Sequence, residues 1–182
     1  MIFEETEISG VWSIRPQEHA DERGSFARFW CEKEFEARGI KFSVTQANVS
    51  LNLKRGTLRG LHYQKEPAPE AKLVRCSRGA MFDVAVDLRA RSSTLGRVVT
   101  AELTAENGYM LYIPKGCAHG FQTLQDNTEV TYLMGEFYDP NLTGGLRWSD
   151  PLLAIEWPID PPVLSDRDAE APLFDRDNPP FA

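Results

Sequence analysis

Alternation of apolar and polar side chains with a period of two is the feature that most constrains the fold of this chain. It runs through short segments such as residues 44–50, 81–88 and 129–134, and glycine, proline or asparagine separates most of them. A period of two places successive side chains on opposite faces of a β-strand. Short strands at regular spacing predict an antiparallel sandwich or barrel, and the lack of strand–helix alternation argues against a parallel α/β sheet.

The chain length fits one domain. A chain of 182 residues can bury a sizeable core, and we expect a single domain over residues 1–182. From about residue 139 the sequence becomes rich in proline, which predicts an irregular C-terminal arm. We expect residues 175–182 to form a loosely held tail.

Two local elements stand out besides the strands. Residues 72–88 are typical of a hairpin that turns at residues 77–79, where a glycine follows a serine and an arginine. Residues 32–38 predict a short helix, and Gly39 is a suitable residue to end it. Little further helix is expected.

Charge and cysteine content exclude several classes of function. The net charge is −7 and the pI is about 5.0, which argues against nucleic acid or an anionic membrane as a partner. Three cysteines without a Cys-x-x-Cys pair favour reduced thiols over a disulfide framework. The sequence shows no signal-peptide pattern and no apolar run of about 20 residues, so we expect a cytoplasmic location.

A proton-transfer base is predicted in residues 56–64, with the sequence GTLRGLHYQ. Two leucines would anchor this segment in a core, and the imidazole of His62 suits proton transfer near neutral pH. A regular strand would place Arg59 and His62 on opposite faces, although both suit one polar cavity. We therefore predict a β-bulge at Gly60, with irregular and unpaired backbone.

The other histidines leave alternatives open. His19 lies in a polar segment and is expected on the surface, whereas His119 fits a structural role or a ligand contact equally well. His62 and His119 lack the close spacing of metal-binding histidines, but two strands could bring them together, so a metal-dependent enzyme is an alternative. The chain has no nucleophile elbow and no phosphate-binding Gly-x-x-x-x-Gly-Lys loop, which favours acid–base chemistry without a cofactor.

An ordered set of short segments covers nearly the whole chain. The segments are DERG (21–24), QANVS (46–50), RGLHYQ (59–64), KLV (72–74), DVAVDLR (83–89), IP (113–114), AHGF (118–121), WSDP (148–151) and LS (164–165) followed by Asp168. In this order and spacing they resemble the dTDP-4-dehydrorhamnose 3,5-epimerases, which are nucleotide-sugar epimerases of the cupin superfamily.

The resemblance implies a fold and an activity. The fold would be all-β, a cupin-type antiparallel jelly-roll barrel with one or two short helices, active as a homodimer without a metal or other cofactor. The substrate would be a nucleotide-linked 4-keto-6-deoxy sugar, with dTDP-4-dehydro-6-deoxyglucose converted to dTDP-4-dehydrorhamnose. The 4-keto group acidifies the hydrogens at C3 and C5, so a base can form an enolate and an acid can return a proton to the opposite face.

The resemblance also implies roles for individual residues. His62 would be the catalytic base, Asp168 would orient its imidazole, and Tyr132 would return a proton from the opposite face. Lys72 would offset the enolate charge near the sugar O4. The residues implied in substrate binding are Arg23 and Arg59 at the phosphates, Gln46, Asn48 and His119 at the sugar or nucleotide, and Tyr138 stacked on the base.

This chain departs from the family pattern at three positions. Arg28 and a residue near Thr143 stand where the family usually has glutamates, and Arg167 stands where it usually has a lysine. Because a guanidinium in place of a carboxylate reverses charge, the alternatives are a GDP- or UDP-linked substrate, or a mono-epimerase acting at C3 or C5 only. A sugar-binding cupin without catalysis is a further alternative, which the retained catalytic residues argue against.

Overall fold

The computed structural model describes residues 1–182 as two antiparallel sheets that pack face to face. The strands are β1 (Ile2–Glu5), β2 (Trp12–Arg15), β3 (Glu18–Asp21), β4 (Gly24–Ala27), β5 (Gln46–Asn52), β6 (Leu58–Gln64), β7 (Lys72–Arg78), β8 (Ala80–Asp87), β9 (Val98–Thr104), β10 (Met110–Ile113), β11 (Cys117–Thr123), β12 (Thr128–Met134) and β13 (Thr143–Gly145). The helices are α1 (Glu32–Glu36) and α2 (Asp166–Ala169). The all-β class predicted from the alternation is confirmed.

The strands form two layers, and their order within each layer differs from their order along the chain. One sheet has six strands in the order β1-β2-β10-β7-β12-β5, and the other has five in the order β13-β6-β11-β8-β9. Strands β3 and β4 pair only with each other, as a separate hairpin. Strands that are neighbours in a sheet are often distant in sequence, so the barrel is assembled from long-range contacts.

The predicted hairpin over residues 72–88 is wrong. Strand β7 lies in the six-stranded sheet and β8 in the five-stranded sheet, so the chain crosses between sheets at Gly79. Gly79 has φ +78°, and a Cβ there would lie 2.6 Å from Oγ1 of Thr128. A glycine turn between two alternating segments looks the same in sequence whether the strands pair or separate.

The two faces of the five-stranded sheet are buried by different partners. Between the sheets lies a core that includes Val74, Ala85 and Phe121. The outer face of the five-stranded sheet carries Val84 and Val86 and is covered by the C-terminal arm. This double coverage explains why β8 is buried along almost its whole length although its sequence alternates.

Helix α1 covers part of the outer face of the six-stranded sheet. Phe35 is fully buried, and its ring meets those of Phe3 and Trp30 edge to face at centroid distances of 5.2 and 4.5 Å. The helix ends before Gly39, whose φ of +76° is the left-handed conformation expected of a glycine stop. The predicted helix is therefore confirmed in place, although it is slightly shorter. No helix of the chain is long and apolar enough to cross a membrane.

The expectation of a loosely held tail over residues 175–182 is wrong at its end. Phe181 is 5% exposed, and its ring packs on that of Tyr63 at a centroid distance of 5.6 Å. The N–H of Ala90 donates to the carbonyl of Phe181 at 2.7 Å. One apolar residue anchors a segment whose polar composition suggested disorder.

We expect Phe181→Ala to destabilise the protein by about 2–4 kcal/mol, because it empties a buried aromatic position. The measurement is urea unfolding of purified protein. Leu152→Ala, which truncates a side chain of the same arm that is 66% exposed, is the matched control and should cost about 0.5 kcal/mol or less. Equal losses for the two variants would show that the tail is not anchored.

Candidate active site

A cavity of about 370 Å³ opens between the two sheets. Strands β5, β7 and β12 line it from one sheet, β6 and β11 line it from the other, and the C-terminal arm adds residues at its mouth. The predicted site residues that line it are Gln46, Asn48, Arg59, His62, Lys72, His119, Tyr132 and Tyr138. A larger depression of about 580 Å³ lies beside the end of α1, and it contains none of the predicted site residues.

The bulge predicted at Gly60 is confirmed. In the β6–β11 pairing, His62 lies opposite His119 and Arg59 lies opposite Phe121, so two residues of β6 face a single residue of β11. The extra residue changes the phase of the strand. Arg59 and His62 therefore both line the cavity, although their spacing would separate them on a regular strand.

Only glycine fits at the bulge. Gly60 has φ +134°, and a Cβ there would lie 2.5 Å from Cα of Gly120 and 3.0 Å from the carbonyl oxygen of His119. The Gly60 N–H points out of the strand ladder and donates to Oδ2 of Asp168 at 3.4 Å. The same irregularity thus places His62 and gives its carboxylate partner a second contact.

His62 and Asp168 form a close imidazole–carboxylate pair. Nε2 of His62 lies 2.7 Å from Oδ1 of Asp168, whose backbone N–H is capped by Oγ of Ser165 at the start of α2. Burial alone would raise the pKa of Asp168, but the hydrogen bond and charge of His62 and the N–H of Gly60 bring that pKa below its usual value. An ionised carboxylate favours the tautomer with hydrogen on Nε2, which leaves Nδ1 to accept a proton.

Lys72 lies on the opposite wall, paired with Glu70. Its Nζ donates to Oε1 of Glu70 at 2.7 Å, and the two side chains are only 6% and 10% exposed. Both residues line the cavity. A buried ammonium with a carboxylate partner is a fixed source of positive charge.

Tyr132 also lies on the wall opposite His62. It belongs to β12 of the six-stranded sheet, whereas His62 belongs to β6 of the other sheet. Burial raises the pKa of the Tyr132 phenol above its usual range, and the negative charge of Asp83 raises it further. The phenol therefore keeps its proton at neutral pH and can act as a proton donor.

His119 is buried and also lines the cavity, so it can have a structural role and contact a ligand, the two roles that the sequence left open. Its Nε2 lies 2.7 Å from Oδ1 of Asp83, and the residues are 5% and 0% exposed. Oδ2 of Asp83 has no hydrogen-bond partner. No group of three or more histidine, cysteine, aspartate or glutamate side chains lies close enough together to hold one metal ion.

Glutamines hold the segment at the mouth of the cavity. Oε1 of Gln46 accepts the backbone N–H of Tyr138 at 2.7 Å, and Oε1 of Gln64 accepts that of Asp139 at 2.9 Å. Tyr138 is 58% exposed, so its ring is available to a ligand. Asn48 shares the cavity face of β5 with Gln46.

The cavity is cationic although the chain is acidic. Arg59, Lys72 and Arg167 line it, and Glu70 is the one carboxylate among the lining residues. Nε of Arg59 donates to Oδ1 of Asn52 at 2.8 Å, which fixes the guanidinium. The local charge suits an anionic ligand such as a diphosphate.

Arg23 is the one predicted site residue that the structure leaves apart. It lies on the β3–β4 hairpin with its side chain 84% exposed, and it pairs with Asp21 at 2.6 Å. Of the positions that depart from the family pattern, Thr143 and Arg167 line the cavity, whereas Arg28 pairs with Glu34 outside it. Within one chain, Arg23 therefore does not contribute to the cavity.

Sequence reasoning missed Glu70, Gln64 and Asp83. Glu70 precedes Lys72 by two residues, and a period of two would have placed it on the same side of the chain. Asp83 alternates with apolar neighbours on β8, yet its pairing with His119 depends on the β8–β11 register, which the sequence does not specify.

Fold and site together define a class of protein. The molecule is an antiparallel two-sheet barrel whose cationic cavity holds an imidazole–carboxylate pair on one wall and a protonated tyrosine and a lysine on the other. Such a cavity suits proton transfer on opposite faces of an anionic ligand.

Comparison with known proteins gives the family. A sequence model of dTDP-4-dehydrorhamnose 3,5-epimerase matches residues 5–176. The dTDP-4-dehydrorhamnose 3,5-epimerase of Sinorhizobium fredii is 44% identical over 173 residues, which cover 94% of this chain and 89% of that relative. The chain belongs to this family, and both the resemblance seen in the sequence and the predicted enzyme class, an isomerase, are confirmed.

Two further relatives refine the comparison. The crystal structure of dTDP-4-dehydrorhamnose 3,5-epimerase from Bacillus anthracis with TDP and PPi bound has a TM-score of 0.92 and 40% identity, over 95% of this chain and 99% of that one. This likeness confirms the cupin-type jelly roll. A dTDP-4-dehydrorhamnose 3-epimerase from Streptomyces niveus is 41% identical, over 92% of this chain and 81% of the relative.

We expect Gly60→Ala to destabilise the protein by about 3 kcal/mol or more, because the new methyl group would meet the backbone of β11. Gly24→Ala is the matched control: Gly24 has nearly the same φ, +133°, but no atom within 4 Å of its would-be Cβ. That variant should cost only about 1–2 kcal/mol of backbone strain. Equal free energies of unfolding for the two variants, measured in urea, would show that the close approach to Gly120 is unimportant.

Proposed function

We propose that this chain epimerises a dTDP-linked 4-keto-6-deoxy sugar at C3 and C5, converting dTDP-4-dehydro-6-deoxyglucose to dTDP-4-dehydrorhamnose. The observation that carries the proposal is the placement of His62 with Asp168 on one wall and Tyr132 on the other. A base and an acid on opposite sides of one ring are what inversion at a carbon requires. Names and activities of the relatives support the choice of substrate.

The first step is removal of a proton next to the 4-keto group. Nδ1 of His62 accepts it, and the electrons of the C–H bond move into an enolate whose charge rests on O4. Asp168, held ionised by its contacts, stabilises the imidazolium that forms. The pair therefore supplies both orientation and charge to the base.

The second step is return of a proton to the other face. Lys72 stabilises the enolate oxygen from the wall opposite His62. The phenol of Tyr132, which keeps its proton at neutral pH, donates it to the carbon and so inverts the configuration. After the His62 imidazolium gives its proton to solvent and the Tyr132 phenolate regains one from solvent, repetition at the second carbon gives the doubly inverted sugar.

The nucleotide is bound at the open side of the cavity. Arg59 pairs with the diphosphate, and Arg167 adds positive charge beside it. Gln46, Asn48 and His119 contact the sugar or nucleotide, and the exposed ring of Tyr138 stacks on the base. The relative from Bacillus anthracis, solved with TDP and PPi bound, supports this assignment.

We propose that the reaction needs no metal or other cofactor. Nε2 of His62 and Nε2 of His119 are each bonded to a separate carboxylate, so the two imidazoles are committed to different partners. Stoichiometric iron, manganese or zinc in the purified active protein would instead favour the metal-dependent alternative.

A second function is supported by one of the relatives. The Streptomyces niveus protein is named a 3-epimerase, and its identity to this chain is close to that of the 3,5-epimerases. A mono-epimerase would use the same base and acid and differ in how the sugar turns in the cavity.

The nucleotide has an alternative as well. The chain departs from the family pattern at Arg28 and Thr143, so a GDP- or UDP-linked sugar is the alternative to a dTDP-linked substrate.

We propose that two copies of the chain form a homodimer through β5 and the β3–β4 hairpin. β5 is an edge strand, and its outward residues Val49, Leu51 and the adjoining Leu53 are 63%, 49% and 66% exposed. An apolar edge of this kind is usually covered. A twofold partner would also account for Arg23, which could reach the phosphates of the other copy's ligand.

We also propose a cytoplasmic location and a single domain. Cys31, Cys76 and Cys117 are all free, two of them buried, which suits a reducing compartment such as the cytoplasm. All 182 residues would form one domain, because the segment after residue 139 supplies Asp168, the hydrogen-bond partner of His62.

We expect product formed in deuterated water to carry two deuterons, one at C3 and one at C5, because each inversion exchanges a carbon-bound hydrogen with solvent. The measurement is mass spectrometry of product made from dTDP-4-dehydro-6-deoxyglucose. One deuteron would identify a mono-epimerase. No incorporation with thymidine, uridine or guanosine donors would refute epimerisation.

His62→Ala and Tyr132→Phe should separate the two steps. His62→Ala should lower deuterium exchange by about 10²–10⁴-fold, since the base is gone. Tyr132→Phe should keep exchange at the first carbon while forming little inverted product. Tyr109→Phe, outside the cavity, is the matched control and should behave as wild type, and all three variants should still bind dTDP.

We expect the protein to have a solution mass of twice 20.5 kDa, measured by sedimentation. We also expect each active site to contain residues from both copies. Arg23→Ala and His62→Ala should each be nearly inactive alone. Refolding them together should restore about a quarter of wild-type activity, because half of the dimers are mixed and each mixed dimer has one intact site. A monomeric mass, or no recovery on mixing, would contradict the shared site.

A further inference from the structure

Glu70 is a buried carboxylate inside a cavity built for an anion. It lies two residues before Lys72, the first residue of β7, and both side chains line the cavity. Its Oε1 accepts a hydrogen bond from Nζ of Lys72 at 2.7 Å, and the side chain is 10% exposed. The other carboxylate at the site, Asp168, contacts His62 and is not among the residues that line the cavity.

Ligand binding does not explain the presence of this carboxylate. A diphosphate carries negative charge, so a second negative group in the cavity weakens its binding through like-charge repulsion. Removing an ion from water costs several kcal/mol even in real proteins, and only good pairing offsets that cost. Glu70 must therefore act on something other than the nucleotide.

The contact of Glu70 identifies what it acts on. It is the one hydrogen-bond partner of the Lys72 ammonium in the structure. The ammonium has three N–H donors, and Glu70 occupies one of them. Two donors are left to face the cavity, held in direction by the first.

We propose that Glu70 is a positioning residue that holds the Lys72 ammonium aimed at the sugar O4. The inference rests on the proposed function, in which Lys72 stabilises the enolate. Without a carboxylate, an ammonium that is 6% exposed would lose its counter-charge and the contact that fixes its direction. With it, the positive charge is in place before the enolate forms, so that no reorganisation is needed during the reaction.

Glu70→Gln is the decisive variant, because it keeps the size and one acceptor of the side chain and removes only the charge. We expect deuterium exchange to fall by about 10–100-fold, while dTDP binds with unchanged or higher affinity, since a repulsive charge has gone. A residue needed only for folding would instead lower exchange, affinity and stability together. Glu66→Gln, an exposed glutamate of the same loop, is the matched control and should leave all three unchanged.

A second measurement does not depend on activity. Modification of Lys72 by an amine-selective ester, followed by peptide mass spectrometry, should be about three- to tenfold faster in Glu70→Gln than in wild type, because the amine is no longer held in an ion pair with a buried carboxylate. Faster labelling with slower exchange and intact dTDP binding supports the inference. Wild-type exchange in the variant, or parallel loss of exchange, binding and stability, overturns it.

Failure of the proposed function gives a different pattern. If wild-type protein shows no exchange, epimerisation is refuted, whereas the labelling comparison still tests whether Glu70 holds the amine of Lys72. If wild type exchanges and Glu70→Gln exchanges equally fast, only the role of Glu70 is refuted. Calorimetric titration with dTDP alone provides the binding measurement in both cases.

Discussion

The close approach of β6 and β11 at Gly60 and Gly120 is the constraint on which the site depends. Two glycines let the backbones come together where any side chain on Gly60 would collide with the neighbouring strand. The bulge that results turns Arg59 and His62 to the same side, and it frees the Gly60 N–H to contact Asp168. One backbone irregularity therefore brings the His62 imidazole, its carboxylate partner and the Arg59 guanidinium into a single arrangement.

The carboxylate partner links catalysis to the packing of the C-terminal arm. Asp168 is held by α2, which lies in a segment with little regular structure, so its position depends on how that segment is anchored. Asp150 supplies part of the anchor: it is 2% exposed, and its oxygens accept the backbone N–H groups of Leu152, Leu153 and Phe174. Phe174 packs on the outer face of the five-stranded sheet. Damage to this outer core would therefore be felt at His62 without any change in the cavity wall.

Sequence alone predicted the strands, the short helix and the bulge, because each has a local cause. Alternation defines strand faces, Gly39 stops a helix, and the conflict between strand parity and chemistry pointed to Gly60. The crossing between sheets at Gly79 was not predictable, since partner choice is decided by long-range packing. The same limit applies to the anchoring of Phe181, and to Arg23, which lies on the exposed β3–β4 hairpin apart from the cavity.

The charges in the cavity show why neither sequence motifs nor overall composition identified Glu70 as a site residue. The chain carries a net charge of −7, yet Arg59, Lys72 and Arg167 dominate the cavity because screening confines each distant surface charge to about 8 Å in physiological salt. These cations favour the nucleotide without help from any carboxylate. Stabilising an enolate is a separate electrostatic task, since it needs one cation fixed at one atom before charge appears there. On the proposed mechanism, Glu70 weakens the first task slightly, and its burial beside Lys72 serves the second.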